Sequence, residues 1–145
     1  MKKFSLLGML VVLSILVSAQ GFYYKLPKRH RHMTERERAL VAIAELPETK
    51  AQFKASAKLE PALNIAGEPE SGKPYYWIKV GISNFDMFRT TENYYYYPKT
   101  GQIFYLDWVN ADFQTISLRQ WRYWRTKPAW HKDHVYKHGK LVAKN

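Results

Sequence analysis

Between residues 75 and 83 the side chains alternate. Tyr76, Ile78, Val80 and Ile82 fall on one side of an extended chain, and Tyr75, Trp77, Lys79 and Gly81 fall on the other. This pattern predicts a strand with the first set in the core. Ser83, Asn84, Phe85 and Asp86 form a turn, after which residues 87–97, rich in Thr and Tyr, read as a long strand. Residues 102–108 return antiparallel. In the connection, Pro98 fixes its own φ and Gly101 can take the positive φ that a hairpin loop requires. Leu63 and Ile65 alternate with Asn64 and Ala66 in a shorter fourth strand, followed by turn chemistry from Gly67 to Pro74.

Helical periodicity occurs at the two flanks of this run. Thr34 with Glu37 three residues on makes a capping box, in which each side chain satisfies a free amide of the other residue. Leu40, Val41, Ile43 and Ala44 then supply an apolar stripe. Pro47 removes an amide donor, so it either kinks this helix or starts a second one; a bent helical segment to about residue 58 is expected, closed by Glu60 and Pro61. Ser117 with Gln120 is a second capping box, for a short helix carrying Leu118 and Trp121. The expected fold is α+β: an N-terminal bent helix packed on a four-stranded antiparallel sheet, with a short C-terminal helix, over residues 34–125.

The ends of the chain differ from this domain. Lys2 and Lys3 precede an apolar run from Phe4 to Val17 and the small-residue sequence Val17, Ser18, Ala19, the build of a signal peptide at residues 1–19 cleaved near Ala19. The protein is therefore expected to be exported, periplasmic or secreted. The chain has no Cys, which removes disulfides and thiolate metal sites. Its net charge of +11 is uneven. Residues 20–33, an extended lead-in, carry Lys25, Lys28, Arg29 and Arg31 without an acid, and residues 126–145 form a basic tail in which Asp133 is the one acid. All five His (His30, His32, His131, His134, His138) lie in these two ends.

The order helix, four strands, short helix, with a turn reading Tyr97, Pro98, Lys99, Thr100, Gly101, Gln102, Ile103, resembles the PepSY-like domains of exported bacterial proteins and, more loosely, the cystatin fold; the resemblance covers about residues 35–122. It implies a helix on a curved four-stranded antiparallel sheet and a binding or peptidase-modulating role without catalytic residues. The chain departs from both patterns. The Gln-x-Val-x-Gly loop of cystatins is absent, its nearest counterpart being Gln102, Ile103, Phe104, Tyr105, Leu106, and Tyr97 stands where a PepSY-like turn commonly has Asp.

Candidate chemistry lies in three places. Tyr75 and Trp77, with either Tyr94/Tyr96 or Tyr95/Tyr97, could form an exposed aromatic face that grips a peptide or stacks on a sugar. We take Tyr75, Trp77, Tyr95 and Tyr97 as the candidate set, against the alternative that tyrosines are strand formers covering their neighbours. Arg122, Trp124, Arg125, Lys127 and Trp130 interleave cations and rings in a manner that suits an anionic lipid, polysaccharide or nucleic acid. The alternative there is packing rings with solvated charges.

His131, His134 and His138 would share one helix face, or else be pulled apart in a hairpin turning at Gly139. No metal or cofactor is expected. Asp107 and Asp112, beside Asn110, read as loop acids, and no nucleophile with a base or Gly-x-Ser-x-Gly elbow occurs. The function expected is a non-enzymatic binding domain whose partner is a protein or peptide of the envelope, with an anionic polymer or membrane surface as the alternative.

Overall fold

Thr34 caps the first helix as its sequence requires. Its hydroxyl accepts from the Glu37 amide at 3.2 Å, and Glu37 Oε2 accepts from the Thr34 amide at 2.7 Å. The structure, a computed structural model, describes residues 21–84, 87–108 and 113–144. The signal-peptide reading at 1–19, Phe85 and Asp86 of the expected turn, and Asn110 and Asp112 lie outside the described residues. Among those described, no helix is long and apolar enough to cross a membrane.

The elements run β1 (Phe22–Tyr23), α1 (Glu35–Ala44), α2 (Pro47–Ala55), β2 (Pro61–Gly67), β3 (Tyr76–Asn84), β4 (Met87–Tyr97), β5 (Gln102–Asp107), β6 (Gln114–Ser117), α3 (Leu118–Trp124), β7 (His134–Lys137) and β8 (Lys140–Ala143). The fold is α+β. β1 to β6 form one antiparallel sheet in sequence order, and β7 with β8 makes a separate hairpin.

Three expectations are corrected. Among the described residues the sheet has six strands rather than four, because β1 and β6 add themselves to its edges: Phe22 and Tyr23 pair with Asn64 and Leu63, and Gln114–Ser117 pair with β5. Neither was visible as a pattern, since one is two residues long and the other has a single apolar residue, Ile116. Among the described residues the first element is β1, not a helix. Nor is the helical segment bent. It is broken into α1 and α2, because the residue before a proline is forced out of the helical region: Leu46 is extended (ψ 133°), and Pro47 restarts the helix at its first position, where no amide is needed.

The lead-in and the tail are both folded against the domain. Besides pairing at β1, the lead-in is held by Arg29, whose guanidinium donates to Glu45 beyond the end of α1 at 2.7 and 3.2 Å. The tail makes a short 3-10 turn, Pro128–His131, and then the β7–β8 hairpin, which turns at His138 and Gly139, both at positive φ. The hairpin reading of the histidines is the one found.

One face of the sheet carries the core. Leu63 and Ile65 of β2, Tyr76, Ile78 and Val80 of β3, Tyr94 and Tyr96 of β4 and Ile116 of β6 pack against Ala39, Leu40, Ile43 and Ala44 of α1 and Trp121 of α3. Trp124, Trp130 and Tyr136 extend the same cluster, so the C-terminal end lies in the helical layer. Ile82, expected in the core, is only half-buried near the end of β3, just past the point where the β3–β4 register shifts at Val80/Gly81. Thr91 is the residue left over, and its hydroxyl donates to the Val80 carbonyl at 3.1 Å.

Gly81 is required where the strands close up. A Cβ there would lie 2.2 Å from the Arg89 carbonyl oxygen and 2.9 Å from Phe88 Cζ, and the first of these is backbone that cannot swing away. Gly81→Ala is expected to cost about 3 kcal/mol, the upper end of the usual overpacking range, read as a lowered urea midpoint. Glu92, on the core side, accepts from the Tyr94 hydroxyl at 2.6 Å, and burial pushes its carboxyl above the usual range. The folded state therefore holds that proton more tightly than the unfolded one, and stability from this group falls as pH rises through the raised pKa. Glu92→Gln, which keeps an acceptor without the charge, is expected to raise the melting temperature at pH 7, and the gain should shrink as both proteins are acidified.

Candidate functional site

The antiparallel register sets residues in line across the face opposite the helices. Trp77, Tyr95 and Phe104 are cross-strand neighbours on β3, β4 and β5, as are Asn64, Lys79 and Asn93 on β2, β3 and β4. Tyr75 enters just before β3, Tyr97 ends β4, and Trp108 and Phe113 flank β5 and β6. Their rings form one connected row. Phe104 meets Tyr97 at 5.4 Å between centroids, Tyr97 meets Tyr75 at 5.4 Å, and Tyr75 stacks on Tyr95 at 4.0 Å. Tyr95 then meets Trp77 edge-on at 6.2 Å, Trp77 meets Trp108 at 5.5 Å, and Trp108 meets Phe113 at 4.9 Å.

The candidate set Tyr75, Trp77, Tyr95 and Tyr97 is thus brought together, half-exposed, while Tyr94 and Tyr96 are buried on the other side. Side chains stand roughly perpendicular to a sheet, so the row offers ring edges and hydroxyl tips. Burial and the Tyr75 hydroxyl push Tyr95 up to about 12, and burial raises Tyr97 as well, so both keep their protons at neutral pH. Beside the row runs a groove of about 400 Å³ between the aromatic residues Tyr75, Trp77 and Tyr95 and the loop residues Glu68, Glu70 and Lys73. Lys73 is tied there to Glu70 at 2.7 Å. A surface of this kind can hold an extended or amphipathic chain.

The second candidate set lies in the opposite layer, and its members are engaged within the protein. Arg122 donates to both oxygens of Glu48, at 2.6 and 3.0 Å, and this fork holds Glu48 below the usual carboxylate range. Trp124 packs on Tyr136 at 5.3 Å, Arg125 lies over the Trp121 ring at 4.6 Å, and Lys127 lies over Tyr123 at 4.4 Å. Trp130 stacks on His134 at 5.0 Å and touches Tyr105. The interleaving of cations and rings seen in the sequence is, in the fold, a set of intramolecular cation–ring and ring–ring contacts, with the cations Arg122, Arg125 and Lys127 exposed.

Two arrangements escaped the sequence. One is Lys79 with Asn93 and Trp108 on the open face. The other joins β5 to the tail: Asp107 and His134 are 2% and 3% exposed, with His134 Nε2 2.7 Å from Asp107 Oδ2. His134 Nδ1 lies 2.8 Å from the Lys132 carbonyl, which only accepts, so Nδ1 carries a hydrogen. The Nε2 contact is then an imidazolium against a carboxylate, or a neutral ring accepting from a carboxylic acid. The Tyr136 hydroxyl also donates to Oδ2, which favours the carboxylate. Both ring nitrogens are engaged and Trp130 covers the ring, so the pair acts as a clasp between tail and sheet. Asp107, expected in a solvated loop, is its buried half. No local signal could reveal a pair 27 residues apart.

Removing one partner of such a pair leaves a buried polar group without its hydrogen-bond counterpart. His134→Ala is expected to destabilise by about 3–5 kcal/mol in urea unfolding, with faster proteolysis after residue 126. Tyr136→Phe should cost less, about 1.5–3 kcal/mol, the range for one hydrogen bond to a charged group. No family model, no curated protein and no solved structure matches this chain.

Proposed function

We propose that this chain is an exported, non-enzymatic binding domain, of PepSY-like and loosely cystatin-like plan, that engages a peptide or an extended protein segment of the cell envelope on the open face of its sheet. The observation that carries this reading is the row of seven rings from Phe104 to Phe113, on the face opposite the helices and the C-terminal hairpin. Buried rings in a core need no further reason, but a contiguous half-exposed row on a sheet face is what a docking surface offers. Export rests on the leader-like residues 1–19, and a peptidase-modulating role rests on the PepSY-like resemblance. Attachment to an anionic polymer through the C-terminal end has less support, because Arg122, Trp124, Arg125 and Trp130 already have intramolecular partners.

The test is selection of peptides from a displayed library against the purified protein, with the footprint of the selected peptides mapped by NMR. The expected footprint covers Tyr75, Trp77, Tyr95 and Tyr97. Trp77→Ser with Tyr95→Ser should weaken binding by about tenfold or more, as loss of central aromatic contacts does, while the fold persists. A footprint on the β7–β8 hairpin, or binding indifferent to the double variant, would count against the reading.

A further inference from the structure

Where β4 and β5 part, the open face holds a cleft of about 210 Å³ lined by Lys79, Thr90, Thr91, Asn93, Tyr105 and Trp108. β5 pairs with β4 only from Tyr94 to Tyr97, so the chain before Tyr94 diverges from it and leaves this space. Among the described residues the lining has one cation, Lys79, and no acid. Lys79 forms no ion pair among the described residues, and its cross-strand neighbours on both sides are neutral amides, Asn64 and Asn93. An unpaired lysine in a strand is ordinarily free to swing into solvent, but this one is held. Its Nζ sits 4.6 Å from the Trp77 ring centroid and 5.7 Å from that of Trp108, so the ammonium is fixed at the cleft by two indole rings.

Asn93 supplies a second, independent indication. It is 5% exposed, and its Oδ1 accepts from Trp77 Nε1 at 3.0 Å. An indole nitrogen only donates, so this contact fixes which end of the amide is oxygen and turns Nδ2 the other way. Nδ2 makes no hydrogen bond within the described residues, and Asn93 lines the cleft. A lining amide nine-tenths buried, with its oxygen occupied and its N–H groups unpartnered among the described residues, stands beside a held ammonium and makes a built donor site. The Thr91 hydroxyl is already donated to Val80, and Thr90 adds a hydroxyl to the wall.

We propose that this cleft binds a carboxylate carried by a peptide, with the anion between Lys79 Nζ and Asn93 Nδ2 and the neighbouring peptide side chains on Trp77, Tyr95 and Tyr75. The proposal rests on the reading of the open face as a peptide surface and names the group that anchors the peptide there. A single ammonium matches a monoanion. A phosphate dianion would leave one charge uncompensated in a cleft with no second cation among its described lining residues. The carboxylate can be a chain terminus or an acidic side chain, and the chemistry is the same for both.

The experiment follows the Trp77 and Trp108 indole and Asn93 side-chain signals of the labelled protein by NMR, with three capped probes. These are N-acetylphenylalanine, its carboxamide, and N-acetyl-aspartyl-phenylalaninamide. The expected result is saturable shifts from a carboxylate-bearing probe and binding about tenfold or more weaker for the carboxamide, the scale of one charged hydrogen bond. Whichever of the two acids binds better identifies the source of the carboxylate. Lys79→Gln should abolish the preference for acid over amide, and Lys79→Arg, which keeps the charge, should retain most of it; unchanged thermal midpoints show that both variants are folded.

Equal binding of acid and amide would overturn the carboxylate site while leaving the open-face reading intact. Shifts from neither would overturn the site, with the open face then judged by the selected peptides. Tighter binding of inorganic phosphate at the same signals would overturn the assignment to a monoanion.

Discussion

The ring of Tyr94 is fully buried at the middle of the sheet, with Tyr105 and Trp121 edge-on to it at 5.8 Å and its hydroxyl donated to Glu92. This position constrains the rest of the molecule. In a strand, successive side chains point to opposite faces, so burying Tyr94 and Tyr96 sends Tyr95 and Tyr97 to the other side. The register with β3 and β5 then carries the division across the sheet, placing Ile78 and Tyr105 beneath the helices and Trp77 and Phe104 beyond them. The four consecutive tyrosines therefore have two roles that cannot be exchanged without turning the strand over.

The clasp between Asp107 and His134 decides what becomes of the C-terminal end. Because Asp107 points to the helical side, the β7–β8 hairpin is drawn there with Trp130 and Tyr136, completing the layer that α1 and α3 begin. The cations and rings preceding the hairpin are engaged on that side. This leaves the opposite face to its own aromatic row, and it leaves Lys79 with rings beside it but no acid among the described residues. The open face and the buried Asp107–His134 pair are thus two results of one placement of the tail.

Much of the fold follows from local chemistry. Both capping boxes form as read, β4 spans the residues that its pattern marks, and Gly101 takes the positive φ (68°) that the hairpin loop needs. The edge strands were not legible, since β1 and β6 owe their extended form to a neighbour's free hydrogen-bonding edge rather than to any alternation of their own. Of the candidate site, the aromatic members could be named because they share a face by period alone. Asn93 and Trp108 could not, because their place beside Lys79 depends on the register across β3 and β4 and on where β5 diverges.

Short-range rules acting within a few residues, namely side-chain alternation, helix caps, proline geometry and glycine turns, were enough to mark the helices, the four longer strands and the two candidate faces of the tyrosine run. Which face meets water was settled by contacts between residues far apart in the chain, above all Asp107 with His134 and Glu48 with Arg122. Such pairings are stable only once the sheet has brought their elements together. Asp107 and His134 meet in a desolvated layer, Arg122 holds Glu48 from the surface, and no window along the chain contains both partners of either pair.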